Sequence, residues 1–362
     1  MHYLWEDKIN AYCFFLNNKI MKEKILVTGG TGYIGSHAVV ELQKAGYEVV
    51  VVDNLSNSNV SVIDGITQIT GIRPLFEQVD CLDFSAFENV FIKHKNIKAV
   101  IHFAASRVVD ESVRTPLKYY RNNIVSLINL LELMPKHGVE GLVFSSSCTV
   151  YGQPEELPVT ETAPIKKAKS PYGKTKQINE EMIYDTVASG VPIQAILLRY
   201  FNPIGAHPTT LIGENSNGIS QNLIPHITQT AIGVHEQLSV YGDDYNTPDG
   251  SCIRDFINVV DLAKAHIMAI QRILEKRQNE QVEIFNIGTG RGLSVLELIK
   301  TFEKVTGIKI NYQVEERRLG DIEQVWADSS RANNILGWKA ETSIEETLLS
   351  AWNWQKKLSK LK

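Results

Sequence analysis

The chain has 362 residues, which is long for one ordinary domain and suits two. Its 43% hydrophobic and 22% charged residues are typical of a globular protein. The net charge of -4 gives no electrostatic basis for binding nucleic acid, so we expect no nucleic-acid partner.

The cysteines and the longest apolar runs bear on the compartment in which the chain works. Cys13, Cys81, Cys148 and Cys252 are scattered along the sequence. This spacing favours reduced thiols in a cytoplasmic protein over a disulfide framework or a metal site. For the same reason we expect no bound metal. No apolar run is long enough to predict a membrane span, so we expect no membrane partner.

Residues 1–20 come before the first recognisable element and are predicted to be an N-terminal extension. They lack the basic start and the apolar core of a signal peptide. Met21 lies just before the first predicted strand and is the expected working start, so we assign no function to the extension.

A strand, a glycine-rich turn and a helix follow at residues 24–45. An apolar strand leads into Gly29, Gly32 and Gly35, and apolar residues then recur at helical spacing. The glycines permit a tight turn and let the backbone approach a pyrophosphate, which would lie at the positive end of the helix. A tight turn with no ligand would have a similar pattern, so the context of this turn decides between the two interpretations.

The second predicted strand, at 47–52, supplies that context because it ends at Asp53. An acidic side chain about 20 residues beyond the glycine turn can accept hydrogen bonds from an adenosine ribose. It would also repel the extra phosphate of NADP, so the sequence predicts NAD. The alternative is a loop residue that simply ends a strand.

Further strands and helices alternate as in a doubly wound parallel sheet of the Rossmann type. Strands are predicted at 75–80, 99–105 and 141–144, with a long apolar helix at 123–134. Asp80, at the end of the third strand, contacts the adenine or is a surface turn residue. Small residues after the fourth strand would let the sugar and phosphates of a cofactor pass close to the backbone.

The fifth strand ends in a serine run that includes Ser147, at the edge where such sheets bind ligands. Ser170 and a following proline then announce a helix that carries Tyr172 and Lys176 on one face. A free tyrosine has a pKa of about 10, and lowering it to about 7 requires a preference for the phenolate of roughly 4 kcal/mol. Lys176 and an oxidised nicotinamide ring would supply the two positive charges needed, and Ser147 would relay the substrate proton. Two surface residues of a helix are the alternative.

These motifs together resemble the extended short-chain dehydrogenase/reductase family, and within it the branch of UDP-hexose 4-epimerases. The resemblance covers the chain from Lys24 to its end. It is carried by the glycine turn, by the serine run, by the tyrosine and lysine four residues apart, and by more specific runs further along. Those runs are Asp53-Asn54-Leu55, Tyr119-Tyr120-Arg121-Asn122-Asn123, Arg199-Tyr200-Phe201-Asn202-Pro203, Asn222-Leu223-x-Pro225 and Arg254-Asp255.

The resemblance implies an NAD-dependent isomerase that interconverts UDP-glucose and UDP-galactose through a 4-keto sugar. It implies Tyr172, Lys176 and Ser147 as catalytic residues and a set of substrate contacts, which are Ser147, Asn202, Asn222, Arg254, Arg318 and Asp321. The implied cofactor contacts are Gly29, Gly32, Tyr33, Ile34, Gly35, Asp53, Asn54, Asp80, Cys81, Phe103, Ala104, Arg107, Asn122, Tyr172 and Lys176.

The resemblance also divides the chain. It predicts an NAD-binding Rossmann domain at 21–200 and a smaller α/β domain for the UDP-sugar at 201–362, with the segment near 255–270 packing back on the first domain. Arg254 and Arg318 are cations that can grip a diphosphate through paired donors. A homodimer formed through the two long helices is a further expectation from the family.

Two positions qualify the resemblance. Arg107 stands where the family usually has lysine, and the planar guanidinium fork is not interchangeable with an ammonium group, so this cofactor contact departs from the family's pattern. Val325 aligns with a site where a bulky tyrosine accompanies a preference for unacetylated sugars. A smaller side chain there leaves room for an N-acetyl group and predicts activity on UDP-N-acetylglucosamine and UDP-N-acetylgalactosamine as well.

Three alternative functions remain open from the sequence. A nucleotide-sugar 4,6-dehydratase would carry an acidic pair after the serine-tipped strand, where this chain has Cys148 and Thr149. A UDP-glucuronate epimerase or decarboxylase would want an additional cation at the sugar end of the site. A non-catalytic NAD-binding regulator is disfavoured by the intact tyrosine and lysine.

Overall fold

The structure is a computed structural model, and it describes residues 23–215, 222–318 and 321–360. The predicted extension at 1–20 lies outside the described residues. The strands are β1 Lys24–Thr28, β2 Glu48–Asp53, β3 Leu75–Gln78, β4 Ile97–His102, β5 Gly141–Ser147, β6 Gln194–Tyr200, β7 Asn202–Ile204, β8 Leu238–Tyr241, β9 Ile253–Arg254, β10 Phe256–Asn258, β11 Val282–Ile287, β12 Leu293–Ser294, β13 Tyr312–Glu315 and β14 Gln324–Val325. The α-helices are α1 Tyr33–Lys44, α2 Ser61–Thr70, α3 Phe84–Lys93, α4 Val109–Arg114, α5 Pro116–Lys136, α6 Pro171–Ala188, α7 Leu223–Ala231, α8 Val259–Leu274, α9 Val295–Thr306 and α10 Ile344–Lys360.

Seven parallel strands form the main sheet, in the order β11-β6-β5-β4-β1-β2-β3. The order reverses at β1, as in a doubly wound sheet, and this confirms the predicted fold class. Apolar clusters cover both faces of the sheet, which explains why its central strands are continuous apolar runs. The ends of β1, β2, β4 and β5 lie at the same edge, and the site forms there.

The bounds of some elements differ from those predicted. The fourth strand begins at Ile97 and ends at His102, so the small residues after it belong to the following loop. The long helix α5 begins at Pro116, two turns before the predicted start, because its first turns are polar and carry no apolar run. Pro116 occupies the first turn, where its missing N–H costs nothing.

The second half of the chain contributes to the core of the main sheet. Strand β11 adds to the edge beside β6, and apolar residues of α8 pack in the same cluster as β1 and β4. The remaining strands form small sheets of two or three strands against α7, α9 and α10, with their own apolar cluster. The sheet therefore continues past residue 200, where the sequence predicts the first domain to end, and the domain boundaries stay predictions. None of the helices in the described part of the chain has the length and apolarity that crossing a bilayer requires.

Candidate active site

A large cleft of about 1060 Å³ opens at the carboxyl edge of the main sheet, between the two halves of the chain. Among the predicted substrate contacts, Ser147, Asn202 and Asn222 line it. All the residues predicted to contact the cofactor also line it; these are Gly29, Gly32, Tyr33, Ile34, Gly35, Asp53, Asn54, Asp80, Cys81, Phe103, Ala104, Arg107, Asn122, Tyr172 and Lys176.

The glycine turn between β1 and α1 is compact enough to exclude side chains. Gly29 has a φ of +68°, and a Cβ added there would lie 2.9 Å from the backbone nitrogen of Ala104. A Cβ on Gly35 would lie 2.2 Å from the carbonyl oxygen of Gly29, so only glycine fits. Among the described residues, none caps the start of α1 with its side chain, and the first turn carries no acid. The helix therefore presents its positive end to the cleft, as a bound pyrophosphate requires.

The carboxylate of Asp53 lies at the end of β2, beside this turn. It accepts hydrogen bonds from the backbone N–H groups of Thr31 at 3.2 Å and Leu55 at 2.9 Å. Asp80 accepts from the amide of Asn54 at 3.0 Å and from the Leu82 N–H at 2.9 Å, so it also organises the loop that lines this end of the cleft. The glycine turn and Asp53 together fit NAD and would oppose the 2′-phosphate of NADP.

Tyr172 and Lys176 lie on the first turns of α6, which Ser170 caps by accepting a hydrogen bond from the Gly173 N–H at 3.1 Å. Both side chains are buried yet line the cleft. The Lys176 ammonium group donates to the carbonyl oxygen of Ser145 at 2.6 Å and lies 5.9 Å from the centre of the Tyr172 ring. Ser147 lies two residues after Ser145, at the end of β5, and its hydroxyl accepts hydrogen bonds from the backbone N–H and the hydroxyl of Thr149.

Burial dominates the electrostatics of this pair. It raises the pKa of Tyr172 to about 12, against the lowering effects of a hydrogen bond with Ser147 and of the Arg107 charge. Burial also lowers the pKa of Lys176 to about 8, and the charge of Glu180 opposes that change. The groups of the chain alone therefore leave Tyr172 protonated near neutral pH. A further positive charge in the cleft, such as the expected nicotinamide ring, is needed to make the phenol acidic.

Arg107 reaches across the cleft to the second half of the chain. Its guanidinium group lies 2.9 Å from the carboxylate of Glu214, which also accepts a hydrogen bond from the side chain of Asn222 at 2.5 Å. Glu214 is a site residue that sequence reasoning missed, because a glutamate 107 positions from its partner leaves no local pattern. The Trp354 side chain donates to the Glu214 carbonyl oxygen at 2.8 Å and anchors this loop to α10.

Arg254, Arg318 and Asp321 form a second cluster rather than joining the described residues that line the cleft. The Asp321 carboxylate lies 3.8 Å from the Arg254 guanidinium group and 3.7 Å from that of Arg318. Arg318 also stacks on the ring of Tyr241 at 4.3 Å, a contact that the sequence did not predict. The charge of Arg254 acts on Cys148, which lines the cleft, so the cluster adjoins the end of the cleft where Ser147 lies.

Val325 is buried in a small apolar cluster that contains Phe201 and touches Cys148. Its strand, β14, pairs with β9 so that Val325 stands opposite Arg254. The position therefore adjoins both Cys148, which lines the cleft, and Arg254 of the arginine cluster.

Comparison with known proteins agrees with this geometry. The model of the NAD dependent epimerase/dehydratase family matches residues 25–288. The UDP-glucose 4-epimerase of Dictyostelium discoideum is 49% identical over 333 residues, which cover 92% of this chain and 96% of that protein. The crystal structure of the Stenotrophomonas maltophila UDP-glucose-4-epimerase with bound NAD and formylated UDP-arabinopyranose is 45% identical, with a TM-score of 0.90, over 94% of this chain and 100% of that chain. The Bifidobacterium longum UDP-glucose 4-epimerase in complex with NAD+ and UDP is 46% identical, with a TM-score of 0.89, over 92% of this chain and 98% of that chain.

A doubly wound sheet with a glycine turn and a buried tyrosine–lysine pair in one cleft defines a class of dinucleotide-dependent enzymes. Within that class, the chain belongs to the NAD dependent epimerase/dehydratase family. The family resemblance expected from the sequence is confirmed.

Proposed function

We infer that the chain is an NAD-dependent isomerase that interconverts UDP-glucose and UDP-galactose by inverting C4 of the hexose. The observation that carries this conclusion is the placement of Tyr172, Lys176 and Ser147 in the same cleft as the glycine turn and Asp53. The similarity of the chain to the UDP-glucose 4-epimerases, over nine-tenths of its length, supports the same conclusion.

Each reacting residue has a distinct task in this mechanism. The glycine turn and Asp53 would hold NAD, which would supply the acceptor and then the donor of the hydride at C4 of the sugar. Tyr172 takes the proton of the 4-hydroxyl group and later gives it back, which is general base and then general acid catalysis. Lys176 favours the phenolate of Tyr172 by its charge, and Ser147 holds the reacting oxygen of the sugar. Because the 4-keto sugar must turn over in the site, few fixed contacts to the hexose are expected.

The nucleotide has to stay in place while the sugar turns, and a separate anchor would achieve this. We assign the diphosphate to Arg254 and Arg318 and a ribose hydroxyl of the uridine to Asp321. Paired guanidinium donors bind phosphate oxygens strongly, which supports the assignment. Asn202 and Asn222, which line the cleft, would contact the phosphate or the sugar.

A small panel of UDP-sugars, assayed without added cofactor and followed by product analysis, tests the proposed function. We expect UDP-galactose to give UDP-glucose, and NAD to be released when the purified protein is denatured. A 4-keto-6-deoxy product would indicate a dehydratase, and turnover of UDP-glucuronate alone would indicate an enzyme of uronate sugars. NAD release without any turnover would indicate a binding protein.

We further propose that the enzyme also accepts UDP-N-acetylglucosamine and UDP-N-acetylgalactosamine. The support is Val325, whose side chain is small and belongs to the apolar cluster on which Cys148, a residue of the cleft wall, packs. Val325→Tyr should lower kcat/KM for the acetylated pair by at least tenfold and leave that for UDP-galactose within about threefold, the scale of a steric change in a pocket. Negligible wild-type turnover of the acetylated pair would refute the broader range.

We also propose a homodimer formed through α5 and α6. Leu117 and Ile128 are about three helical turns apart on α5 and therefore share a face, and both are exposed. Replacing both residues with arginine should give a monomer by light scattering. Val234→Arg is the matched control, since Val234 is an equally apolar exposed residue of the second half of the chain. A wild-type protein that is monomeric at micromolar concentration would contradict the dimer.

Finally, we propose that the enzyme works in the cytoplasm. Cys81, Cys148 and Cys252 are free thiols in the described part of the chain, and Cys81 and Cys252 are buried. Such thiols are typical of a reducing compartment. Fractionation of cells that express the native protein tests this, and its recovery outside the cytosolic fraction would contradict it.

A further inference from the structure

A buried polar cluster lies beneath the tyrosine and lysine and has no part in the mechanism above. At its centre Glu180 forms a two-point ion pair with Arg199, with nitrogen–oxygen distances of 2.9 and 2.5 Å. The hydroxyl of Ser146 donates to the same carboxylate. Both charged side chains are about 95% buried. Arg199 is held further by the hydroxyl of Tyr151 at 3.1 Å.

The cluster is connected to the reacting residues through α6 and β5. Glu180 lies four residues after Lys176, so the two side chains share a face of the helix. Its partner Ser146 stands between Ser145, whose carbonyl oxygen accepts from the Lys176 ammonium group, and Ser147, which lines the cleft. A shift of Glu180 would therefore move both contacts together.

We propose that Glu180 is a positioning residue for the epimerisation inferred above. It fixes the end of β5 through Ser146, and it keeps a negative charge one helical turn from the Lys176 ammonium group. This inference rests on the proposed function, since it concerns the lysine of that reaction.

The charges around Lys176 support this role. Burial alone lowers the pKa of Lys176, and Glu180 is the neighbouring charge that raises it. On β4, His102 stays neutral because burial lowers its pKa to about 3. On β6, burial raises the pKa of Tyr200, so it also stays neutral, and Arg199 is the cation paired with Glu180. Arg107 is a further cation, whose charge acts on both Tyr172 and Tyr200. Loss of the Glu180 charge would leave Arg199 uncompensated, and both effects would make Lys176 lose its proton at a lower pH.

The molecule contains a matched control for this pair. Arg272 of α8 and Glu283 of β11 form another buried two-point ion pair, with distances of 2.6 and 2.8 Å. It lies outside the described residues that line the cleft. Glu283→Gln removes the same charge from the same kind of pair, and within the described part of the chain Glu283 has no hydrogen bond or ion pair with Lys176 or with β5.

The experiment measures kcat and KM for UDP-galactose between pH 6 and 9.5 in wild type, Glu180→Gln and Glu283→Gln, each with bound NAD. We expect the alkaline limb of kcat to move about one pH unit lower in Glu180→Gln, so that its loss of rate grows about tenfold from pH 6.5 to pH 9. Its KM should stay within about threefold of wild type. Glu283→Gln should keep the wild-type limb even if it unfolds more easily.

Glu180→Asp provides a second measurement, because it keeps the charge but draws it back by one methylene group. Its limb should move in the same direction by a smaller amount. If the wild type is active and the alkaline limb of the kcat–pH profile is the same in Glu180→Gln, this inference is overturned and the proposed function is not. If Glu180→Gln does not fold, a Glu180→Asp limb that coincides with wild type would overturn it instead. A wild type without turnover would overturn the proposed function and this inference with it.

Discussion

At the scale of single residues, the burial of Tyr172 works against the reaction that we assign to it. Burial raises the pKa of the phenol to about 12, and the Arg107 charge lowers it only in part. A buried phenol is therefore a poor base until a second cation enters the cleft. This arrangement couples proton removal to the presence of the oxidised cofactor, because the phenolate is stable only beside that positive charge.

Tyr172→Phe tests the role of this phenol directly. The substitution removes the oxygen that takes the proton but keeps the ring that packs in the site, so the fold and NAD content should persist. We expect kcat for UDP-galactose to fall at least a hundredfold, the lower range for loss of general acid–base catalysis. Tyr184→Phe, at an exposed position on the same helix, should stay within about twofold of wild type. A near-normal rate in the Tyr172 variant would show that another group is the base.

Some residues of the site can be predicted from the sequence and others cannot. Tyr172 and Lys176 are predicted because a spacing of four residues on a helix places two side chains on one face. Glu180 continues the same spacing, yet its role depends on Arg199, which arrives from a different strand. Glu214 gives no local pattern at all, since its partner lies on a loop of the other half of the chain.

At the scale of elements, the turn between β1 and α1 decides whether the cofactor can be held. The turn brings the Gly29 carbonyl oxygen so close to Gly35 that no side chain fits between them. The sequence predicted this element well, because glycine spacing, strand and helix all point to one local structure. It predicted the start of α5 poorly, because the first turns of that helix are polar and its apolar run begins later.

Gly35→Ala should open this turn. Its Cβ would lie 2.2 Å from the Gly29 carbonyl oxygen, so the strand and helix must separate. We expect a loss of about 3 kcal/mol or more in the free energy of unfolding, together with loss of copurified NAD. Gly32→Ala is the comparison, since its Cβ would lie 3.1 Å from the same oxygen and should cost about 1 kcal/mol. Urea unfolding of both proteins after removal of NAD measures the difference, and equal losses would contradict the steric argument.

At the scale of the whole molecule, the two halves of the chain share one core. The sequence predicts alternating strands and helices but does not specify which later strand returns to the sheet. Strand β11 joins β6 after a long excursion through the second half, and α8 packs beneath it. Pairing of strands so distant in sequence depends on tertiary packing, which local periodicity does not encode. The position of the cleft at the edge of the sheet is predicted from the alternating strands and helices. The residues of the second half that line the cleft are placed by tertiary packing, which the sequence pattern does not predict.

The shared core also buries histidines, and this sets how the stability of the molecule responds to acid. His37 and His102 are fully buried with pKa values lowered to about 3, and His266 is buried with a pKa lowered to about 4. Burial is the largest cause in each case. In the unfolded chain a histidine has a pKa of about 6.5, so between these values only the unfolded state binds the proton.

The free energy of unfolding should therefore fall as the pH is lowered from 7 towards 5.5. His207 behaves in the same way, because burial also lowers its pKa to about 4. Each of these four histidines contributes about 1.4 kcal/mol per pH unit below 6.5, which gives about 5.5 kcal/mol per unit in total. Asp255 and Glu161 act in the opposite sense at lower pH, because burial raises the pKa of each carboxyl group. Urea unfolding at several pH values measures the slope, and His102→Gln should reduce it by about one quarter. A stability that does not change between pH 7 and 5.5, or a slope that His102→Gln leaves intact, would show that these histidines take up protons in the folded protein.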